Sequence, residues 1–345
     1  MNPASQQTFT LDSAGIFAWL YRLLYPLEWL MTHILNVLHK GLVLIGFNDG
    51  PGIAWVLSII LLVILVRLLI LPLFIKQMIS MRKMQAMQPK LKHIQDKYKG
   101  KNDPASREAL NRETMKLYQD TGANPMGSCV PALIQSPIFM TMFYVLSSVS
   151  YIARGLKEPY GAFSQQIAAD IEDTHVFNVS LADVFGSTSG GGRVTIGIFI
   201  ALMCLTLFLS QYYNLRRNMP KDQIGGQQYR MQRSMAFIFP VMYIFSGVMF
   251  SFAVLVYWLT NNLWTLGQTI WQVEHMPTPG SPAAEAREIR VRKRETARRE
   301  RLGLPSLEEE ALEKARQAEA ARAEKGHQRQ QPSRGKNKSR KQRNK

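Results

Sequence analysis

Arg67 is the one charged side chain in IILLVILVRLLILPLF, the run from Ile59 to Phe74, where the other fifteen of sixteen residues are apolar. A guanidinium stays ionised and carries N–H donors but no acceptor. Its chemistry is therefore the binding of anions and carbonyls, not proton transfer. Buried alone near a bilayer centre it costs about 2.5–3.5 kcal/mol on insertion scales. Snorkelling is one escape, since Arg67 lies eight residues before Ile75, about 12 Å of helical rise. A helical side chain leans towards its own N-terminus, though, which here points it deeper into the membrane.

No carboxylate is available to neutralise it. The runs 53–75, 130–152, 194–213 and 235–272 contain neither Asp nor Glu. What remains is water, polar side chains, backbone carbonyls or a substrate. Gln135, Ser136, Gln211, Asn214, Thr260, Asn261, Asn262 and Gln268 supply polarity near or inside the other runs. Pro72 frees the Leu68 carbonyl and marks a kink. The favoured reading is a hydrated, cationic cavity open to the cytoplasm, with snorkelling as the rival. The same absence argues against proton- or sodium-coupled transport, which relies on intramembrane carboxylates. The six histidines are scattered, no HExxH occurs, and SGGGR (Ser189 to Arg193) lacks the P-loop pattern. No catalytic residue, metal site or cofactor is expected, and the chain reads as a non-enzyme.

These residues must be held by membrane helices. A span needs about 20 mostly apolar residues. Residues 53–75, 130–152 and 194–213 each meet this, and 235–272 is long enough for two spans with a turn near Ser246, Gly247, Ser251 and Ala253. The expected class is an all-α integral membrane protein with five transmembrane helices. Lys and Arg set its direction. They number eleven in 76–129, three in 153–193, five in 214–234 and twenty after Gln272, within a net charge of +17. The N-terminus and 153–193 are expected outside; 76–129, 214–234 and the tail 273–345 are expected in the cytoplasm. MNPASQQTFTLDSAG has no basic region leading into an apolar one, so no cleaved signal is expected there. Cys129 and Cys204 fall in or beside apolar runs and read as free thiols.

Outside the spans, residues 16–45 place Glu28, Thr32, Asn36 and Lys40 on one stripe. This predicts an outer interfacial amphipathic helix within an extracytoplasmic segment 1–52, with a sixth span as the alternative. In 76–129, Met84, Met87, Leu91, Ile94 and Tyr98 form a heptad-like seam, and GKNDP marks a turn. Together they predict a cytoplasmic helical hairpin, either a stiff spacer or a docking arm. After a linker, MPTPGSPAA, the tail sets Arg287, Arg290, Arg294, Arg298 and Arg301 on one helical face. Glu288–Arg292 and Glu295–Arg299 support that helix. No aromatic residue follows Trp271, so any nucleic-acid contact there would be with phosphates. Ribosomal RNA, anionic lipid and plain solvation are the competing fates of the tail.

Several motifs, in order, resemble the YidC/Oxa/Alb membrane-protein insertase family in its shorter Gram-positive and actinobacterial form. They are VRLLILPL, MQAMQPKLKHIQDKY, NPMGSCVPALIQSPIFMTMFYVL, NVSLADVFG and VYWLTNNLWTLGQ, within about residues 15–275. The third carries Asn124, Pro125, Gly127, Pro131 and Pro137. Ser251, Phe252 and Ala253 stand where the family often has Pro-Ser-Gly, and no Cys precedes Cys129. The resemblance implies a five-helix insertase core around a hydrophilic groove, with Arg67, Gln135, Gln211, Trp258, Asn261 and Asn262 as groove residues. It implies a bacterial plasma-membrane location and a role in inserting and folding nascent membrane proteins, alone or with the Sec translocon. It also implies ribosome contact through the basic tail. The readings without the resemblance are an anion channel or transporter using Arg67, and a ribosome-tethering scaffold.

Overall fold

In a computed structural model, the described residues are 18–101, 103–122 and 130–327. They form eleven α-helices and one short hairpin: α1 (Ala18–Leu44), α2 (Ile53–Ala86), α3 (Gln88–Lys97), α4 (Pro104–Thr121), α5 (Val130–Ala153), α6 (Gln165–Glu172), β1 (His175–Val176), β2 (Val179–Ser180), α7 (Gly190–Asn218), α8 (Gln227–Met249), α9 (Phe252–His275), α10 (Pro282–Leu302) and α11 (Leu307–His327). Residues up to Glu285 make one compact unit and Ala286–Lys345 a second.

Three of the described helices are long and apolar enough to cross a membrane: Ile53–Gln85, Leu133–Ala153 and Gly190–Asn218. Helices α8 and α9, with 23 and 24 residues, would reach about 35 Å at 1.5 Å per residue. They carry more polar residues, among them Arg230 and Arg233 in α8 and Asn261 and Asn262 in α9. The break between them falls at Phe250–Ser251, within the expected turn.

The first long helix departs from expectation. Its 34 residues continue past Ile75 and past Pro72, so Lys76, Arg82 and Lys83 share one rod with Arg67. The heptad-like seam is interrupted, because α2 ends at Ala86, Met87 caps it and α3 begins at Gln88. Pro89 in the first turn of α3 explains the break, since proline has no N–H to give an incoming helix and suits a new start. Helices α3 and α4 pack together. Asp103 caps α4 by accepting from the Ser106 amide at 2.8 Å, and Gly122 closes it at φ 61°. Between them, Lys97 Nζ and Tyr98 Oη both donate to Glu113 Oε1, at 2.6 and 2.8 Å. The Lys97 and Tyr98 bonds hold the Glu113 carboxyl below its ordinary range.

Helix α9 is central, packing on α2 and α7, while α8 packs on α7. Its first turn is deeply placed, with Phe252, Val254 and Leu255 at 0% exposure. Helix N-termini leave amides without helical partners. Here Phe252 N and Ala253 N donate to the Asp183 and Leu181 carbonyls, both at 2.8 Å. The segment between α5 and α7 thus caps α9. That segment is ordered by α6 and by the β1–β2 hairpin, whose turn residues Phe177 and Asn178 both have positive φ, as a tight two-residue turn requires.

Two expectations are corrected. The stripe expected to make α1 an interfacial amphipathic helix lies mostly inside protein: Glu28 and Thr32 are fully buried, Asn36 is half-buried and of the four only Lys40 is exposed. Leu23, Leu30, Val37 and Leu44 are exposed instead. The helix docks on α2 and α5, and Thr32 finds protein partners there. Thr32 Oγ1 donates to the Trp29 carbonyl at 2.8 Å and accepts from the Ala162 amide at 3.2 Å. The segment after α9 is likewise no loose linker. Thr278 N donates to Asn218 Oδ1 at 2.7 Å, and Thr278 Oγ1 to Gln85 Oε1 at 2.9 Å. Lys221 N donates to the Gly280 carbonyl, and Lys221 Nζ lies 2.8 Å from Glu285. Buried Thr278, Ser281 and Ala283 tie this strap to the ends of α2 and α7.

Candidate functional site around Arg67

Arg67 is half-buried on α2 and faces α9. Its Nε and Nη2 both donate to Asn261 Oδ1, at 3.1 and 2.6 Å, and Nη2 also donates to Thr265 Oγ1 at 3.2 Å. Thr265 Oγ1 in turn donates to the Asn261 carbonyl at 2.8 Å. All of these acceptors are neutral oxygens. They orient the fork without cancelling its charge, which a carboxylate would do.

Beside the guanidinium lies a cavity lined by Leu62, Val66, Gln135, Ile138, Tyr257 and Asn261, among others, from α2, α5 and α9. Its water-accessible volume is 10 Å³, about what one water needs. It is far smaller than the wet cavity expected from sequence. The reason is apolar packing: Leu62 is fully buried and Met142 nearly so. Helix α5, by contrast, packs mainly on α1 and α6 and touches α2 and α9 sparsely. Its C-terminal half is buried, with Val145 and Ile152 at 0%. On its other half Leu133, Ser136 and Pro137 are exposed. Pro137 breaks the helical hydrogen-bond ladder between the halves.

The residues expected at this site divide. Gln135 and Asn261 line the cavity with Arg67. Asn262 turns away, buried against α7 with Nδ2 donating to the Met203 carbonyl at 3.4 Å. Trp258 is buried in an aromatic cluster, 5.6 Å from Phe139, 5.4 Å from Phe250 and 5.2 Å from Tyr243 between ring centres. Gln211 is half-buried on α7 and does not line the cavity. About 100° of rotation per residue separates Asn262 from Asn261 and Trp258 from Tyr257, so neither shares the face that lines the cavity. Pro72 is exposed inside α2. Pro131 lies in the first turn of α5, while Asn124, Pro125 and Gly127 lie outside the described residues. Thr265 and Tyr257 were missed by the sequence reading. Both were findable by stepping four residues either way from Asn261.

In the second unit, Arg287, Arg290, Arg294, Arg298 and Arg301 are all exposed on α10. Glu295 pairs with Arg299 at 3.1 Å as expected. Arg292 instead approaches Glu308 of α11, at 3.6 Å. Gly303 turns the chain at φ 62°. Ser306 and Glu309 cap α11 reciprocally, each accepting from the other's amide at 3.1 and 2.8 Å. Lys314 and Arg299 hold the Glu310 carboxyl down to about 2, so those pairs form above that carboxyl's ordinary range and are lost only as pH falls towards 2.

Fold and site together define a helical membrane protein with several helices long and apolar enough to span a bilayer and, among the described residues, a helix-borne cation bonded only to neutral oxygens. A family model described as "60Kd inner membrane protein" matches residues 46–279. The membrane protein insertase YidC of Bifidobacterium longum is 54% identical over 325 residues, covering 94% of this chain and 96% of that relative. That of Streptomyces avermitilis is 36% identical over 270 residues, covering 76% and 60%. A crystal structure described as an active YidC insertase with its first transmembrane domain resolved aligns at a TM-score of 0.40 with 24% identity. That alignment spans 73% of this chain and 47% of that one. The chain belongs to the YidC family of membrane protein insertases. It is a protein of the bacterial membrane.

Proposed function

We propose that this chain inserts nascent membrane proteins and helps them fold, alone or beside the Sec translocon, by drawing a polar or acidic segment to Arg67 while the apolar segment passes into lipid. The observation that carries the reading is that, among the described residues, the guanidinium is held by the neutral oxygens of Asn261 and Thr265 alone. Its charge is left for a transient partner. The sparse contact of α5 with α2 and α9 supports widening of the small cavity when a segment arrives. A cavity near the size of one water does not favour an anion conduit. The test is a photo-crosslinker at position 67 in vesicles with ribosome-stalled chains. We expect adducts to the polar outer segment of the nascent chain at one stall length. Adducts to lipid alone at every length would remove the site from the path.

In this reading α2, α5, α7, α8 and α9 are the five spans, with the N-terminus outside and the tail in the cytoplasm. The lysine and arginine asymmetry supports that direction. The exposed arginine stripe of α10 supports an anionic partner, proposed to be ribosomal RNA in competition with anionic lipid. One labelling experiment addresses both points. With Cys129 and Cys204 replaced by Ala, a cysteine introduced at Ala286 should react with an impermeant maleimide in inside-out vesicles and not in right-side-out ones. Ribosomes should slow that reaction at low salt and lose the effect at high salt. Labelling from the other side would reverse the topology, and protection by anionic liposomes alone would favour lipid.

A further inference from the structure

We infer that Tyr257 is a second hydrogen-bonding group of the Arg67 site and extends it to uncharged segments. Tyr257 is 2% exposed. It lines the same cavity as Arg67, Gln135 and Asn261. Among the described residues its hydroxyl has no hydrogen-bond partner, which is rare for a buried polar atom and calls for an explanation. Its position is set by its own helix, one turn before Asn261 on the same face. Its ring lies 6.3 Å from that of Phe139 on α5.

The two groups differ in what they can bind. Arg67 spends Nε and Nη2 on Asn261 and Thr265. Among the described residues Nη1 makes no hydrogen bond, and it can only donate. A carboxylate or a carbonyl suits it. The Tyr257 hydroxyl both donates and accepts. It can therefore accept from a side-chain amide N–H, which a guanidinium cannot. A polar segment partway across a bilayer carries such groups unsatisfied, at a cost of roughly a hundred-fold or more per group in its population there. Arg67 then answers to charge and Tyr257 to neutral polar groups. This assignment rests on the reading of Arg67 as the substrate site.

The experiment compares full-length chains reconstituted in vesicles, using one single-span substrate in two forms. One form has an outer segment rich in Asp, and the other has Asn at the same places. Protection of that segment from added protease reports insertion. Tyr257→Phe removes one oxygen and keeps the ring. It should lower insertion of the Asn form by about five-fold, the range of one lost hydrogen bond, and leave the Asp form within about two-fold. Arg67→Ala should show the opposite preference. Tyr257→Phe at the normal rate on the Asn form, or an equal loss on both forms, would overturn the assignment. If Arg67→Ala left the Asp form unaffected, the Arg67 reading would fail. The Tyr257 assignment would survive that result only if Tyr257→Phe still showed its selective loss.

Discussion

Replacing Arg67 by Ala is expected to slow insertion of a substrate with an acidic outer segment by roughly ten- to hundred-fold, the worth of a hydrogen bond to a charged group. The estimate follows from what the residue does in the resting protein. Asn261 and Thr265 orient the guanidinium but leave its charge uncompensated, so the attraction to an incoming carboxylate is retained at short range and low dielectric. Arg67→Glu should be worse, because it adds repulsion to the loss. Arg67→Lys should be milder, keeping the charge but not the planar fork that Asn261 receives through two donors. The measurement is the initial insertion rate in vesicles containing this protein alone. Equal rates for Arg67→Ala and the unaltered chain on every acidic substrate would sink the mechanism. A rank order with lysine no better than alanine would show that geometry, not charge, is what the site supplies.

The second large effect is structural. Gly161 joins the segment between α5 and α6 to α1, at φ +59°, and a Cβ placed there would lie 2.1 Å from Thr32 Oγ1 and 3.4 Å from the Trp29 Cα. Thr32 cannot easily yield, because its hydroxyl already bonds Trp29 and Ala162. Gly161→Ala should therefore combine left-handed strain of about 1–2 kcal/mol with a lost hydrogen bond of about 1 kcal/mol and displacement of α1. Gly155→Ala is the control. It has φ +69°, but its Cβ meets only Gln165 Nε2 at 3.6 Å, so it should show the strain alone. Thermal unfolding in detergent should place Gly161→Ala clearly below Gly155→Ala. Matching midpoints would mean that α1 is not held through this contact. Insertion should fall with the midpoint, since α5 is held mainly by α1 and α6.

Some features were readable because they depend on neighbours along the chain. Asp103 and Gly122 bound α4 as a capping residue and a terminal glycine do. The turn between α8 and α9 falls among the small residues that suggested it. The α10 helix carries its arginine stripe where the spacing put it. Other features escaped for physical reasons. The stripe on α1 is legible as a stripe, but periodicity does not say whether protein or solvent faces it. Glu28 and Thr32 are buried in protein while leucines are exposed, an inversion that suits a helix beside lipid. MPTPGSPAA has the composition of a linker, and no local rule says that Asn218 and Gln85 await Thr278.

By itself the amino-acid sequence determined that the chain is built of long apolar helices, that basic residues alternate between their ends, and that Arg67 has no carboxylate to pair with in any apolar run. Those properties are composition and periodicity, which survive any arrangement of the helices. Only the tertiary structure decided which face of α9 meets Arg67. Asn261 and Thr265 are 194 and 198 residues away, and Asn262, next to Asn261, and Trp258, next to Tyr257, are just as suggestive in one dimension. A helix period says which residues share a face. The rotation of α9 against α2, set by packing around Phe252, Leu255 and Leu62, says what that face touches. That rotation put Tyr257 and Thr265 into the site and turned Trp258 and Asn262 out of it.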